Sequence, residues 1–309
     1  MRPAIHQLEY FVTVAEEGQF TKAAARLHIA QPSVSAQIRQ LELLLGTQLF
    51  HRGSSHVTLT DSGEALLPMA RRVLTDVVEL VDEVAEVEGL RRGHVGIGAT
   101  PSLSATLLPV VLGRFHASHP GVSIAVSEQG STHLLKGLAN GDLDLALAVL
   151  PVDAPGTERI VLAIEELVVA IRNDHPLAFR QRIGISDLAD IPMVMFRDGY
   201  DLRTTTLAAF GEAGLTPRIA VEGGEMGSVI SLAAEGLGAA IIPSIVSIND
   251  SRLHVLRLNR PRLTREIALV SRSDRRLSNA ATALATEIVA SLEKHGWPRP
   301  VPPGLRLRP

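Results

Sequence analysis

The chain predicts three consecutive parts: an N-terminal all-α head carrying a β-hairpin, one long helix, and a larger α/β domain. Three observations predict them. Residues 4–45 hold three successive helical apolar patterns, followed by two short β-like runs. Residues 61–88 hold an apolar seam at alternating steps of four and three. From His94 onward, strand-like and helix-like runs alternate, the pattern of mostly parallel sheets covered by helices. The 309 residues suffice for two or three cores. At 46% hydrophobic and 20% charged, the composition is that of a soluble globular protein. The chain has no cysteine, which excludes disulfides and thiolate chemistry and fits a reducing cytoplasm. "MRPAIHQLEYF" lacks the apolar stretch of a signal peptide, and no run approaches the ~18 apolar residues of a membrane span. A net charge of −3 argues against a protein that coats nucleic acid with bulk positive charge.

In the head, Leu8, Phe11, Val12 and Ala15 recur at helical spacing, and Gly18 ends that helix. Thr21 is positioned to cap the second helix, with Ala24 and Leu27 facing inward. "HIA" forms a turn, and Pro32 sits in the first turn of a third helix, where a missing N–H costs nothing. On that helix Val34, Ile38, Leu41 and Leu45 form one apolar stripe. The opposite face shows Gln31, Ser33, Ser35, Gln37 and Gln40. Short Ser and Gln side chains at a helix start can enter a DNA major groove and hydrogen-bond base edges, while terminal N–H groups favour phosphate. A helix-turn-helix uses its second helix in this way. A small helical bundle with a solvated polar face fits the same spacing. "LFHR" and "HVTLT" around "GSS" then read as a hairpin, a wing whose Arg52 and serine tip can meet phosphates. Residues 1–60 carry only net +1, so shape and multiple copies must assist charge.

The head closely resembles the LysR-type transcriptional regulators. The matching residues are Leu8, Phe11, Phe20, Thr21, Ala23–Ala24, Leu27, Gln31–Pro32, Ser35, Gln37–Ile38, Leu41–Glu42, Gly46, Leu49–Phe50, Arg52, Leu59–Thr60 and Gly63, an ordered pattern over some sixty positions. A weaker resemblance runs to about residue 295. Ala36 departs from it, standing where many members carry a base-contacting arginine, and the wing tip is rich in Ser and His where arginine is common. The resemblance implies a winged helix-turn-helix over 1–60 (helix-turn-helix about 20–39). It gives DNA contact to Thr21, Gln31, Pro32, Ser33, Ser35, Ala36, Arg39, Arg52 and Ser54.

Residues 61–91 read as a linker helix roughly 40 Å long. Leu66, Ala70, Val73, Val77, Leu80, Val84 and Val87 mark its seam, widened by Leu67, Leu74 and Val81. Thr60 or Asp61 can cap it, and Pro68 should kink it. A long core helix of one domain is the alternative; the resemblance makes it a dimerising helix through Leu66, Val73, Val77, Leu80, Val84 and Val87.

"GLRRGHVGIGATPS" opens the α/β domain, residues 92–296. Strands are expected at 94–99, 122–127, 143–149, 166–172, 192–196, 218–222, 239–242 and 266–271, and helices at 103–118, 131–140, 202–213, 226–236 and 276–294. The resemblance implies a periplasmic-binding-protein-like effector domain of two lobes, 93–163 with 267–295, and 164–266. The tail 297–309, "WPRPVPPGLRLRP", is proline-rich and basic and reads as either mobile or an appendage. Ligands in such folds bind at strand carboxyl ends and helix N-termini. "ATPSLS" offers Thr100 and Ser102; "SEQGST" offers Gln129 and Ser131; "FRDGYDLR" offers Phe196, Arg197, Tyr200 and Arg203; "VEGGEMGS" offers Glu222 and Met226. Each fits an ordinary cap or turn equally well. Hydroxyls, helix N-termini and Arg203 suit a carboxylate or other small anion, whereas Glu222 and Glu225 would suit an amine or an amino acid.

His116 and His119 lack a third metal ligand, and the chain has no dinucleotide-loop spacing, nucleophile elbow or HExxH. Three functions stay in view: a ligand-responsive regulator, a solute-binding protein, and an α/β enzyme for which no catalytic constellation is found. The first explains the whole chain. It implies a cytoplasmic, nucleoid-associated homodimer or homotetramer on a double-stranded DNA operator, with a small-molecule effector, RNA polymerase as a further partner, no cofactor and no membrane.

Overall fold

The computed structural model describes residues 2–52, 56–87, 93–151, 155–246, 250–298, 301–302 and 304–308. In the head, α1 (Ile5–Glu17) stops at Gly18, which takes the left-handed conformation at φ 62°. Helices α2 (Phe20–Arg26) and α3 (Gln31–Leu45) follow, joined through His28 at φ 55°. Leu8, Phe11, Val34, Ile38, Leu41 and Phe50 close the core between them. Leu45 is not on that stripe: it is 40% exposed, because α3 outruns the core before ending at Gly46. Nor does Thr21 cap α2; the cap residue is Gln19, and Thr21 lies exposed inside the helix.

Strands β1 (Phe50–Arg52) and β2 (Val57–Leu59) pair antiparallel as the wing. The buried carboxylate of Glu42 on α3 accepts the Leu49 N–H at 3.0 Å and anchors it. The long helix α4 (Asp61–Val87) is capped by Thr60, whose hydroxyl accepts the Gly63 N–H at 3.1 Å. A Cβ on Gly63 would collide with the Leu49 carbonyl oxygen, so only glycine lets α4 pass the wing this closely. α4 continues through Pro68 as one helix.

The α/β domain starts with β3 (Gly93–Ala99), α5 (Pro101–Ser104), α6 (Leu107–Ser118), β4 (Val122–Glu128), α7 (Ser131–Asn140) and β5 (Leu145–Leu150). β6 (Thr157–Arg172) then crosses into a second lobe. That lobe holds β7 (Arg182–Gly184), β8 (Met193–Phe196), α8 (Asp201–Glu212), β9 (Ile219–Gly224), α9 (Met226–Ala234), β10 (Ala240–Pro243) and β11 (Leu253–Arg260). The chain returns through β12 (Thr264–Arg272) and ends on α10 (Asn279–His295) and β13 (Arg306–Leu307).

The first lobe's strand order is β4-β3-β5-β12-β6. β3 runs parallel to β4 and β5, while β12 is antiparallel to both β5 and β6. The second half of β6 pairs antiparallel with β10 and β11. The expectation of mostly parallel sheets therefore holds for βα units and fails for the strands that join the lobes.

Two carboxylates are buried on β6 where it changes lobe. Glu165 accepts from Arg265 Nε at 2.7 Å and from the Ile245 N–H at 2.7 Å. Glu166 pairs with Arg257 at 2.7 Å and with Arg262. Buried charge is tolerable only when paired in this manner. The described part of the tail is docked rather than mobile. Trp297 is buried, β13 pairs with β6 opposite Ala163 and Ile164, and Arg308 meets Glu266 at 3.0 Å.

Candidate functional site

The exposed face of α3 carries Pro32, Ser33, Ala36 and Arg39 in the open, with Gln31 and Ser35 half-buried beside them. The Gln31 amide donates to the Ser35 hydroxyl at 2.9 Å, which leaves the Gln31 carbonyl and a second amide hydrogen for a base edge. Arg39 Nε donates to the Ser35 carbonyl at 3.2 Å, holding the guanidinium along the helix. Thr21 is exposed on α2, on the other arm of the motif. Gln37 belongs to the scaffold: its carbonyl oxygen accepts from Gln7 at 3.1 Å and ties α3 to α1. Arg52 ends β1; Ser54 lies outside the described residues.

On α4 the seam divides between two jobs. Leu66 and Leu74, half-buried, pack against the head's own core with buried Ala70. Val73 at 40% and Leu80 at 64% exposure do point outward, along with Met69. Val77 is half-buried, and the side chains of Val84 and Val87 lie outside the described residues.

Between the lobes lies a cleft of about 390 Å³. Of the effector residues expected from sequence, Thr100, Ser102, Gln129, Arg197, Tyr200 and Met226 line it. Thr100 and Ser102 come from the end of β3 and the start of α5, Gln129 from the turn before α7, Tyr200 from the loop before α8, and Met226 from the start of α9. The Thr100 side chain is buried and its hydroxyl has no hydrogen-bond partner. Such a group costs free energy unless a ligand or water satisfies it.

Four of the expected residues are not on the lining. Ser131 is buried with its hydroxyl accepting the Val149 N–H at 3.0 Å. Phe196 is buried and stacks on Tyr200, ring centroids 5.4 Å apart, so it positions rather than contacts. Arg203, the expected anion anchor, is held by Asp198 at 2.7 Å, by Glu222 at 3.0 Å and by the Phe196 carbonyl at 3.1 Å. Those acids neutralise it inside its own lobe. Glu222 is spent in that same pair.

Sequence reasoning missed Arg265, His133 and Asp201, all on the lining. Asp201 lies inside the "FRDGYDLR" stretch and could have been chosen with Arg197 and Arg203. Arg265 sits on β12, and only the fold brings it to the cleft floor, where it donates to Ser102 at 2.8 Å. Arg197 meets Glu225 at 2.5 Å and covers the Tyr200 ring at 5.0 Å. The Tyr200 hydroxyl donates to Glu225; burial and that carboxylate push the phenol up to about 12, so it stays protonated. Desolvation in the cleft pushes the Asp201 carboxyl up, and Arg265 pulls it partly back.

Among the described residues no helix is long and apolar enough to cross a membrane, and no His, Cys, Asp and Glu grouping could hold a metal. Residues 5–64 match the family model "Bacterial regulatory helix-turn-helix protein, lysR family", and residues 88–293 match "LysR substrate binding domain". The chain is 32% identical over 284 residues to the HTH-type transcriptional regulator YybE of Bacillus subtilis, covering 92% of this chain and 97% of that protein. It is 31% identical over 294 residues to the dual regulator OxyR of Escherichia coli, covering 94% and 96%. Among solved structures, a full-length OxyR variant of Pseudomonas aeruginosa superposes with TM-score 0.73 at 25% identity, covering 93% of this chain and 95% of that one. Full-length CbnR in complex with its target DNA gives TM-score 0.69 at 25% identity, covering 93% and 99%. With a helix-turn-helix head, a two-lobed α/β domain and both family models matched across its length, the chain belongs to the LysR family of transcriptional regulators.

Proposed function

We propose that the chain is a small-molecule-switched regulator. A dimer, or a tetramer built from dimers, binds a pseudo-palindromic operator in the cytoplasm through α3 and the wing. Met69, Val73 and Leu80 supply the linker contact between copies. An effector enters the interlobe cleft and shifts the lobe angle, because a ligand that touches both lobes binds the closed state better than the open one. The observation that carries the reading is the unpartnered buried hydroxyl of Thr100 in a cleft walled from both lobes. Several relatives are hydrogen peroxide-inducible activators, but a peroxide signal read by a thiol has no thiol in this chain.

Selection of bound duplexes from a random pool tests the reading. Two half-sites are expected, their centres separated by about one helical turn, 10–10.5 bp, or a multiple of it. Gln31→Ala should relax preference at one base pair per half-site by ~1–3 kcal/mol. Arg39→Ala should weaken all sequences alike and lower the salt slope by about one. A Gln31→Ala preference identical to wild type would remove α3 as the reading face.

A further inference from the structure

The charges around the cleft are unequally spent. Each arginine there already faces an acid of its own: Arg197 faces Glu225 at 2.5 Å, and Arg265 faces Glu165 at 2.7 Å. Arg203, just behind the wall, faces Asp198 and Glu222. Asp201 is different. It lines the cleft at the first residue of α8 and accepts no hydrogen bond from any described residue. Asp201 is exposed to solvent, and the cation whose charge acts on it, Arg265, is already paired with Glu165. A ligand that was only an anion would meet this carboxylate unpaired, and closure would strip water from two like charges.

The opposite wall is short of acceptors. The Thr100 hydroxyl is buried without a partner. Next to it, Gln129 and Gly130 lead into α7, a ten-residue helix in which the Gly130 carbonyl already takes the His133 N–H at 2.9 Å, leaving the Ser131 and Thr132 N–H groups at its start for a ligand. One lobe thus offers donors and the other a carboxylate. Between these ends the walls formed by Pro101, Val149, Leu202 and Met226 are apolar.

We propose that the cleft takes a zwitterion of the α-amino-acid class with an apolar side chain. Its ammonium pairs with Asp201, its carboxylate takes the Thr100 hydroxyl and the start of α7, and its side chain lies against Leu202 and Met226. The proposal rests on the cleft being the effector site and adds the ligand's chemical class. It also replaces Arg203 as the charged anchor, and it explains closure, because the two ends of one small molecule are held by different lobes. The raised carboxyl of Asp201 agrees with a group desolvated before its counter-ion arrives.

Calorimetry on the full chain tests it with three matched sets: L-alanine, L-valine, L-leucine and L-methionine; the carboxylic acids lacking their amino groups; and the amines lacking their carboxylates. At least one amino acid is expected to bind, with both of its truncated forms about tenfold weaker or worse, since each loses a charge-assisted contact. Asp201→Asn should weaken that amino acid by about tenfold and not its deaminated acid, and Asp201→Glu should restore the preference for the amine. A deaminated acid binding as tightly as its amino acid overturns the zwitterion and leaves the cleft reading in place. Binding that neither Asp201→Asn nor Thr100→Val disturbs places the ligand elsewhere and overturns both. No heat from any set overturns the class proposed here.

Discussion

The carboxylate of Asp144 lies against the backbone of β3 and accepts the Gly96 N–H at 2.8 Å. Desolvation pushes its carboxyl above the ordinary value of 3.8, while that N–H, His94 and Arg275 pull it down without winning. The folded chain therefore holds this proton more tightly than the unfolded chain does. Stability from the group is complete below 3.8, falls as pH rises through the raised folded value, and is level above it. Asp144→Asn keeps the acceptor and removes the ionisation. Its stability relative to wild type should improve between about pH 3.5 and about pH 7, read as urea midpoints of both proteins at the two pH values. A difference independent of pH would show that burial at Asp144 carries no cost. Single residues of this kind are the least legible in sequence. "GDLDLA" looks like two turn acids, and nothing in it says that one of them meets a backbone N–H 48 positions away. Arg203 fails as an anchor for the same reason: Glu222 reaches it only through the pairing of β8 with β9.

Helix α4 shows what periodicity can and cannot say. Its length and apolar seam are plain in the sequence, and the seam is real, but one chain cannot tell which of its residues face the chain itself. Leu66 and Ala70 turn toward α1 and the head core, while Val73 and Leu80 turn outward. Two substitutions separate these roles. Leu80→Asp should reduce self-association and leave helix content and head stability unchanged. Leu66→Asp should destabilise the head by ~2–4 kcal/mol, through a charge placed in its packing. Sedimentation and circular dichroism of both variants check the assignment, and equal effects would merge the two roles. Strands are legible within similar limits. β3, β4 and β8 are apolar or cleanly alternating and stand out in the sequence. The first half of β6 does not, because Glu158, Glu165 and Glu166 make "TERIVLAIEE" look like a charged loop. The partners of Glu165 and Glu166 (Arg257, Arg262 and Arg265) arrive about 90–100 residues later. The tail is hidden for a related reason: its arginines read as solvated charge, while its backbone completes an edge of β6.

Polar contacts tie α4 both to the head and to the first lobe. Arg71 on α4 meets Glu16 of the head at 3.1 Å and Asp142 of the first lobe at 3.1 Å, with its side chain only 20% exposed. One turn further on, the Thr75 hydroxyl lies 3.2 Å from the Gly141 carbonyl, and Asp76 meets Arg275 at 2.8 Å. Gly141 and Asp142 follow α7, the helix whose other end forms the cleft wall at Gln129 and Gly130. A lobe movement that shifts α7 must therefore either carry α4 with it or break these bonds. Arg71→Met keeps the aliphatic stem and removes the guanidinium; Glu16 retains Arg26, while Asp142 loses its cation. Combining Arg71→Met with Asp142→Asn should be non-additive in unfolding free energy by ~0.5–1 kcal/mol, the range for a partly buried pair. Hydrogen exchange should rise at the Asn140–Asp144 corner in Arg71→Met and stay unchanged in α2 and α3. Additive free energies, with protection at that corner intact, would mean that α4 only leans on the first lobe. The route from cleft to head would then have to run through contacts between copies.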